Sequence, residues 1–174
     1  AFETTNYDDM RKFFTSAKVL IAHNCIRFDI PAVERLLWIK INARLIDTLA
    51  LSWTLFPDRA SHGLEGWGDS FGIQKPPITD WVSLPVEEYI KRCAEDVRIT
   101  TRLWDYCLKK LNKLYDNEDD LNAYIDYLSF KMHCAMLQEQ NGWKLDQEYA
   151  RSALQSIVQE QEEKIRVLQQ VMPK

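Results

Sequence analysis

The sequence predicts an α/β layer structure followed by a helical segment, and three observations carry that prediction. Short apolar runs, Val19-Leu20-Ile21-Ala22 and Arg44-Leu45-Ile46, alternate with helical patterns in the first part of the chain. From Pro85 to Leu111 apolar residues recur at spacings of three and four without interruption. After the acidic stretch Asp116 to Asp120, which holds no apolar residue, every remaining pattern is helical.

In chain order, Ala1 to Thr5 reads as the end of an extended segment with nothing before it to pair with, so the chain is expected to be cut from something longer. Asp8 to Ala17 carries Met10, Phe13 and Phe14 at helical spacing, and Val19 to Ala22 then fits a buried strand. The polar turn His23-Asn24-Cys25 leads to Asp29-Ile30-Pro31, where an acidic residue followed by proline signals a helix start. Ile30, Val33, Leu36 and Leu37 supply that helix with its apolar stripe. Arg44-Leu45-Ile46 is the second strand, and Asp47-Thr48 opens a helix running to Phe56.

Loops are expected over Pro57 to Ser61 and over Lys75 to Leu84, around a short helix from His62 that stops at Gly72. The long helix after Pro85 is expected to bury Tyr89, Cys93, Val97, Thr100, Trp104, Leu108 and Leu111. Leu121 to Gln140 forms a helix ended by Asn141-Gly142, and Asp146 caps a last helix reaching Met172. Its stripe Leu154, Ile157, Ile165 and Leu168 reads as ordinary helix packing against Tyr124 to Leu137 or against further parts of a larger protein.

Composition bounds the function. With 174 residues, 46% of them apolar or aromatic, the chain can bury a substantial core. A formal charge of -4 argues against a basic nucleic-acid coat, which needs surplus Lys and Arg, and leaves an enzyme built around carboxylates and divalent metal compatible. The four cysteines have no metal-ligand spacing and read as free thiols in a reducing setting. No apolar stretch approaches the roughly 20 residues of a membrane span, so the expected setting is the cytoplasm.

Spacing alone makes Asp29 a helix cap and Asp96 a solvated helix acid. The motifs reweight both. Ile21-Ala22-His23-Asn24-Cys25-Ile26-Arg27-Phe28-Asp29-Ile30-Pro31-Ala32-Val33 closely resembles the second exonuclease motif of phage-type family A DNA polymerases. Leu45-Ile46-Asp47-Thr48-Leu49 and Ser61-His62-Gly63-Leu64-Glu65-Gly66-Trp67-Gly68 resemble the segments that follow it there. Arg92-Cys93-Ala94-Glu95-Asp96-Val97-Arg98-Ile99-Thr100 is similar to the third motif, and Gln138 to Asp146 to the opening of the polymerase region.

The resemblance implies a 3′–5′ proofreading exonuclease domain over residues 1–118, of truncated ribonuclease H-like fold lacking its first strands, and the helical start of a polymerase domain over 119–174. It implies two Mg²⁺ ions about 3.5–4 Å apart that clamp the scissile phosphate. Asp96 is then a direct ligand of one ion, and Asp29 holds the other through its hydration shell. Asn24 and Phe28 contact the terminal nucleotide of a single-stranded DNA 3′ end, and in the parent enzyme the partner is primer-template DNA.

Two departures accompany the resemblance. The family's first motif, D-x-E, does not occur ahead of Asn24, so the metal site is expected to be incomplete and hydrolysis weak or lost. Four residues before Asp96, where related enzymes place a tyrosine that orients water, stands Arg92. Arginine stays protonated and cannot serve as a base, so Arg92 is expected to pair with Asp96 or to contact phosphate. Tyr89 is about 10 Å along the helix from Asp96, too far to substitute.

Among the remaining candidates, His23 and His62 lack zinc-ligand spacing and are expected to make structural hydrogen bonds, and Asp47 is expected mainly to cap its helix. Lys91, Arg92, Arg98, Arg102, Lys109 and Lys110 are interleaved with acids and read as a solvated surface. The competing readings are a catalytically silent nucleic-acid-binding module and an RNA-directed exonuclease with the same carboxylate motifs.

Overall fold

A computed structural model describes residues 6–73, 78, 80 and 83–172. The elements are α1 (Tyr7–Ser16), β1 (Val19–Ala22), α2 (Asp29–Leu37), β2 (Arg44–Asp47), α3 (Thr48–Leu55), α4 (Leu64–Phe71), α5 (Val86–Leu114), α6 (Glu118–Asn141) and α7 (Gln147–Val171). The architecture is thus mixed α/β and mostly helical. The extended segment expected at Ala1 to Thr5 and most of the loop expected at Lys75 to Leu84 lie outside the described residues.

Strands β1 and β2 pair in parallel, from Val19 opposite Arg44 to Ala22 opposite Asp47. Parallel neighbours cannot be joined by a tight turn, and α2 provides the crossover between them. Both strands therefore finish at one edge of the sheet, where Ala22 and Asp47 stand side by side. Helix α2 ends on Trp38 in the left-handed region (φ 54). The side chain of Glu34 bridges past that end by accepting from Ile41 N at 2.8 Å and from Lys40 Nζ at 2.9 Å.

The core joins the sheet edge to α3, α4, α5 and α6. On α5 the fully buried residues are Ile99, Leu103, Cys107 and Leu111, a repeat of four. This corrects the expected stripe: Val97 and Cys93 are exposed, while Trp104 and Leu108 are half-buried at its margin. The reason lies in the neighbours. Helix α4 approaches α5 at Gly68, where an added Cβ would stand 2.6 Å from the Ile73 carbonyl oxygen and 3.0 Å from Ile99 Cδ1. The missing side chain admits Ile99, and the buried face turns to meet it.

Helix α6 contributes Leu121, Ile125, Leu128 and Met132 to the same core. Arg44 reaches it from β2, donating to Asp126 Oδ1 at 2.7 Å and Asn122 Oδ1 at 2.8 Å, and Ser129 Oγ donates to Leu45 O at 2.7 Å. Residues 1–139 form one compact unit and 140–174 a second. In the second, Gly142 takes a positive φ of 64° after α6, and Asp146 caps α7 by accepting from Tyr149 N at 3.0 Å. Helix α7 has no buried residue and exposes Leu154, Ile157, Ile165 and Leu168. No helix among the described residues is long and apolar enough to cross a membrane.

Candidate functional site

The carboxyl ends of parallel strands, with the loops that leave them, are where open α/β sheets place ligands. Here that edge carries the segment from His23 to Asp29. Asn24 adopts a left-handed backbone (φ 59), a conformation Asn tolerates better than other residues with a Cβ. Phe28 N donates to Asn24 O at 3.2 Å and Ile30 N to Cys25 O at 2.8 Å, closing the loop into the first turn of α2.

Asp47 holds this loop from β2. Its side chain is almost wholly buried, 2% exposed, and accepts three backbone N–H groups. Oδ1 receives Asn24 N at 2.8 Å and Leu49 N at 3.0 Å, and Oδ2 receives Ile26 N at 3.3 Å. The expected cap of α3 is therefore present, and the same carboxylate also binds the loop more than twenty residues earlier. Arg27 adds an outer anchor, donating to both carboxylate oxygens of Glu139 on α6, with Nε at 3.1 Å from Oε2.

The two histidines make structural hydrogen bonds. His23 Nδ1 lies 2.9 Å from Thr48 Oγ1, whose hydroxyl donates to Ala22 O at 3.2 Å, so the imidazole acts as donor. His62 Nδ1 lies 2.8 Å from Ser52 Oγ, and that hydroxyl oxygen accepts from Trp67 Nε1 at 2.9 Å. Thr48 and Ser52 are fully buried one turn apart on α3, so both rings are held by hydroxyls of one helix.

Asn24, Phe28 and Asp29 are thus brought together on the sheet-edge loop. Phe28 leaves its ring 69% exposed directly before Asp29, and the buried Oδ1 of Asn24 accepts no hydrogen bond among the described residues. Asp29 is the first residue of α2, where the helix dipole favours an anion. Its carboxyl is nevertheless raised from its ordinary value, first through partial loss of water contact, although the residue keeps an exposed face, and then through the charge of Asp47. Burial raises Asp47 in the same direction, against the backbone N–H groups of Asn24, Leu49, Ile26 and Ala50, which favour its charged form. Cys25, between them in the loop, is pushed up to about 12 by burial and by both carboxylates. Arg92 and Asp96 lie one turn apart, half-buried, in the first half of α5, which packs against β1.

The sequence marks Asp47 as a helix cap and carries no local sign of its hold on the loop. The signal was available only in the pairing of the strands, which sets Asp47 opposite Ala22.

Carboxylate oxygens suit Mg²⁺. Among the described residues, however, no group of three or more His, Cys, Asp or Glu is placed to hold a metal ion, and both oxygens of Asp47 are occupied by backbone donors. These residues by themselves do not form the full donor set of a two-ion site. Compared with protein-family models, with curated proteins and with solved structures, the chain matches none.

Proposed function

We propose that this chain is the 3′–5′ exonuclease portion of a phage-type family A DNA polymerase, of ribonuclease H-like fold, and that it engages the 3′ end of single-stranded DNA while hydrolysing it weakly by itself. The observation that supports this reading best is the loop at the carboxyl edge of the sheet. Asn24, Phe28 and Asp29, the residues of the motif resemblance, are presented together there by a buried carboxylate.

In this reading the exposed Phe28 ring packs on the terminal sugar or base, the sequence-tolerant mode suited to single strands. The buried Asn24 oxygen accepts a donor of the same nucleotide. Asp29, with its charge disfavoured by burial and by Asp47, gains from a cation beside it. Asp96 supplies a second carboxylate from α5, and Arg92 offers its fixed positive charge to phosphate. Magnesium would supply activation of water and neutralisation of the leaving oxygen, through further ligands beyond those gathered here.

The test is binding of a 3′-labelled single strand, followed by fluorescence anisotropy with and without Mg²⁺. The expected result is tighter binding with Mg²⁺, loss of that dependence in Asp96→Ala, and weaker binding by Phe28→Ala. A second reading, a catalytically silent nucleic-acid-binding module, is favoured by the lack of a three-ligand cluster among the described residues. Equal affinity with and without Mg²⁺, unaltered by Asp96→Ala, would decide for it.

A further inference from the structure

Away from the sheet-edge loop, the end of α3, helix α4 and the middle of α5 border an open surface pocket of about 560 Å³, within the range of small-molecule sites. Four aromatic rings line it: Phe56, Trp67, Phe71 and Tyr106. Phe56 and Tyr106 are stacked nearly parallel, 5.0 Å apart with 8° between their planes, and Trp67 and Phe71 form a second stacked pair at 5.6 Å. Phe56 meets Trp67 edge-on at 5.2 Å, so the two pairs make adjoining walls. Trp67 is buried, whereas Tyr106 remains 48% exposed and is the ring most open to a ligand.

Two cations border these rings. Arg59 lies over Trp67, its Cζ 3.8 Å from the ring centroid, and Lys110 Nζ lies 4.4 Å from the centroid of Phe56. Both are oriented by neutral partners. Arg59 donates to Ser61 O, Gly66 O and Ser70 Oγ, and Lys110 to Leu55 O. Neither forms an ion pair among the described residues. Asp58 also lines the pocket, leaving the three ionised groups with one net positive charge and one carboxylate able to accept hydrogen bonds.

We propose that this pocket binds a nucleoside monophosphate. Three chemistries coincide in it: flat rings for a planar base, two cations for a phosphate, and a carboxylate for an exocyclic amine or a sugar hydroxyl. A simple aromatic compound would leave the cations unused, and a free phosphate would leave the rings unused. The lining shares no residue with the sheet-edge loop, nor with Arg92 or Asp96. The proposal therefore stands whether or not the exonuclease reading does. Tyr106 lies ten residues beyond Asp96 on α5, about 15 Å along the helix axis.

The experiment is calorimetric titration of the whole chain with deoxyadenosine 5′-monophosphate, deoxyadenosine and inorganic phosphate. Saturable binding of the monophosphate is expected, with Kd below about 1 mM, and the other two probes are expected to bind about tenfold more weakly. Tyr106→Ala and Lys110→Gln, each with an unchanged far-ultraviolet circular dichroism spectrum, are expected to weaken the monophosphate by about fivefold or more. No saturable binding, wild-type affinity in both pocket variants, or equal affinity for deoxyadenosine would overturn the proposal. So would loss of binding in Phe28→Ala, which would place the nucleotide at the sheet edge. Lys110→Gln keeps the test decisive if Tyr106→Ala fails to fold, because Lys110 lies outside the buried apolar cluster and glutamine keeps most of its stem.

Discussion

Replacing Asp47 separates the two things its carboxylate does. In Asp47→Ala all three backbone donors lose their acceptor: Asn24 N at 2.8 Å, Leu49 N at 3.0 Å and Ile26 N at 3.3 Å. Hydrogen bonds to a charged group contribute about 1.5–3 kcal/mol each, and part of that is offset because a buried carboxylate no longer has to be kept from water. Counting the two shorter bonds and the offset, the expected loss is about 2–4 kcal/mol. Asp47→Asn is expected to cost only about 1 kcal/mol, because its amide oxygen can keep both Oδ1 contacts. Only the longer Oδ2 contact then turns from acceptor to donor, facing Ile26 N. Urea unfolding with unchanged slope measures both losses, and amide exchange at Asn24, Ile26 and Leu49 locates them. If Ala costs no more than Asn, or if the three amides keep their protection in Asp47→Ala, the loop is not held by this carboxylate.

Other outcomes follow from the same structure. The folded pKa of Asp29 is raised above its ordinary 3.8, so between the two values the folded chain binds more protons than the unfolded one and stability falls as pH rises through that window. Asp29→Asn is expected to flatten this fall in urea midpoints measured upward from about pH 4, while the part due to Asp47 remains; an unchanged slope would contradict the shift. Gly68→Ala forces a Cβ to 2.6 Å from a backbone oxygen and is expected to cost about 1–3 kcal/mol, whereas Gly63→Ala, with nothing within 4 Å, is expected to be nearly neutral by thermal melting. Cys25 and Cys107, buried and pushed up to about 12, are expected to resist iodoacetamide at pH 8 while exposed Cys93 reacts, as read by peptide mass spectrometry.

What could be read from the sequence was local. Gly72 and Gly142 end their helices with positive φ, and Asp146 caps α7, because each of these signals acts within a turn of its own position. The strands at Val19 and Arg44 were legible as short apolar runs, but their pairing was not stated by either run. The buried face of α5 was misread because two apolar rows share Leu111. One passes through Val97 and Trp104, the other through Ile99, Leu103 and Cys107. Only the close approach of α4 at Gly68 decides between them. The aromatic pocket was illegible for a related reason. Phe56, the Trp67 and Phe71 pair on α4, and Tyr106 come from three separate stretches of chain, and by its sequence Lys110 is one more solvated cation, whereas α5 lays it against Phe56.

The hold of Asp47 on the loop and its repulsion of Asp29 are opposite in sign, and both follow from burying one charge. The N–H contacts fix Asn24 and the start of α2 in place, and the same charge disfavours ionisation of the neighbouring carboxyl. On the proposed reading, a cation beside Asp29 would relieve that carboxyl while leaving the N–H contacts of Asp47 intact. Asp47→Asn is informative for this reason. It keeps most of the loop's anchorage while removing the charge, so weaker Mg²⁺-dependent DNA binding in that variant, with the loop amides still protected, would attribute the cation's effect to electrostatics rather than to loop order.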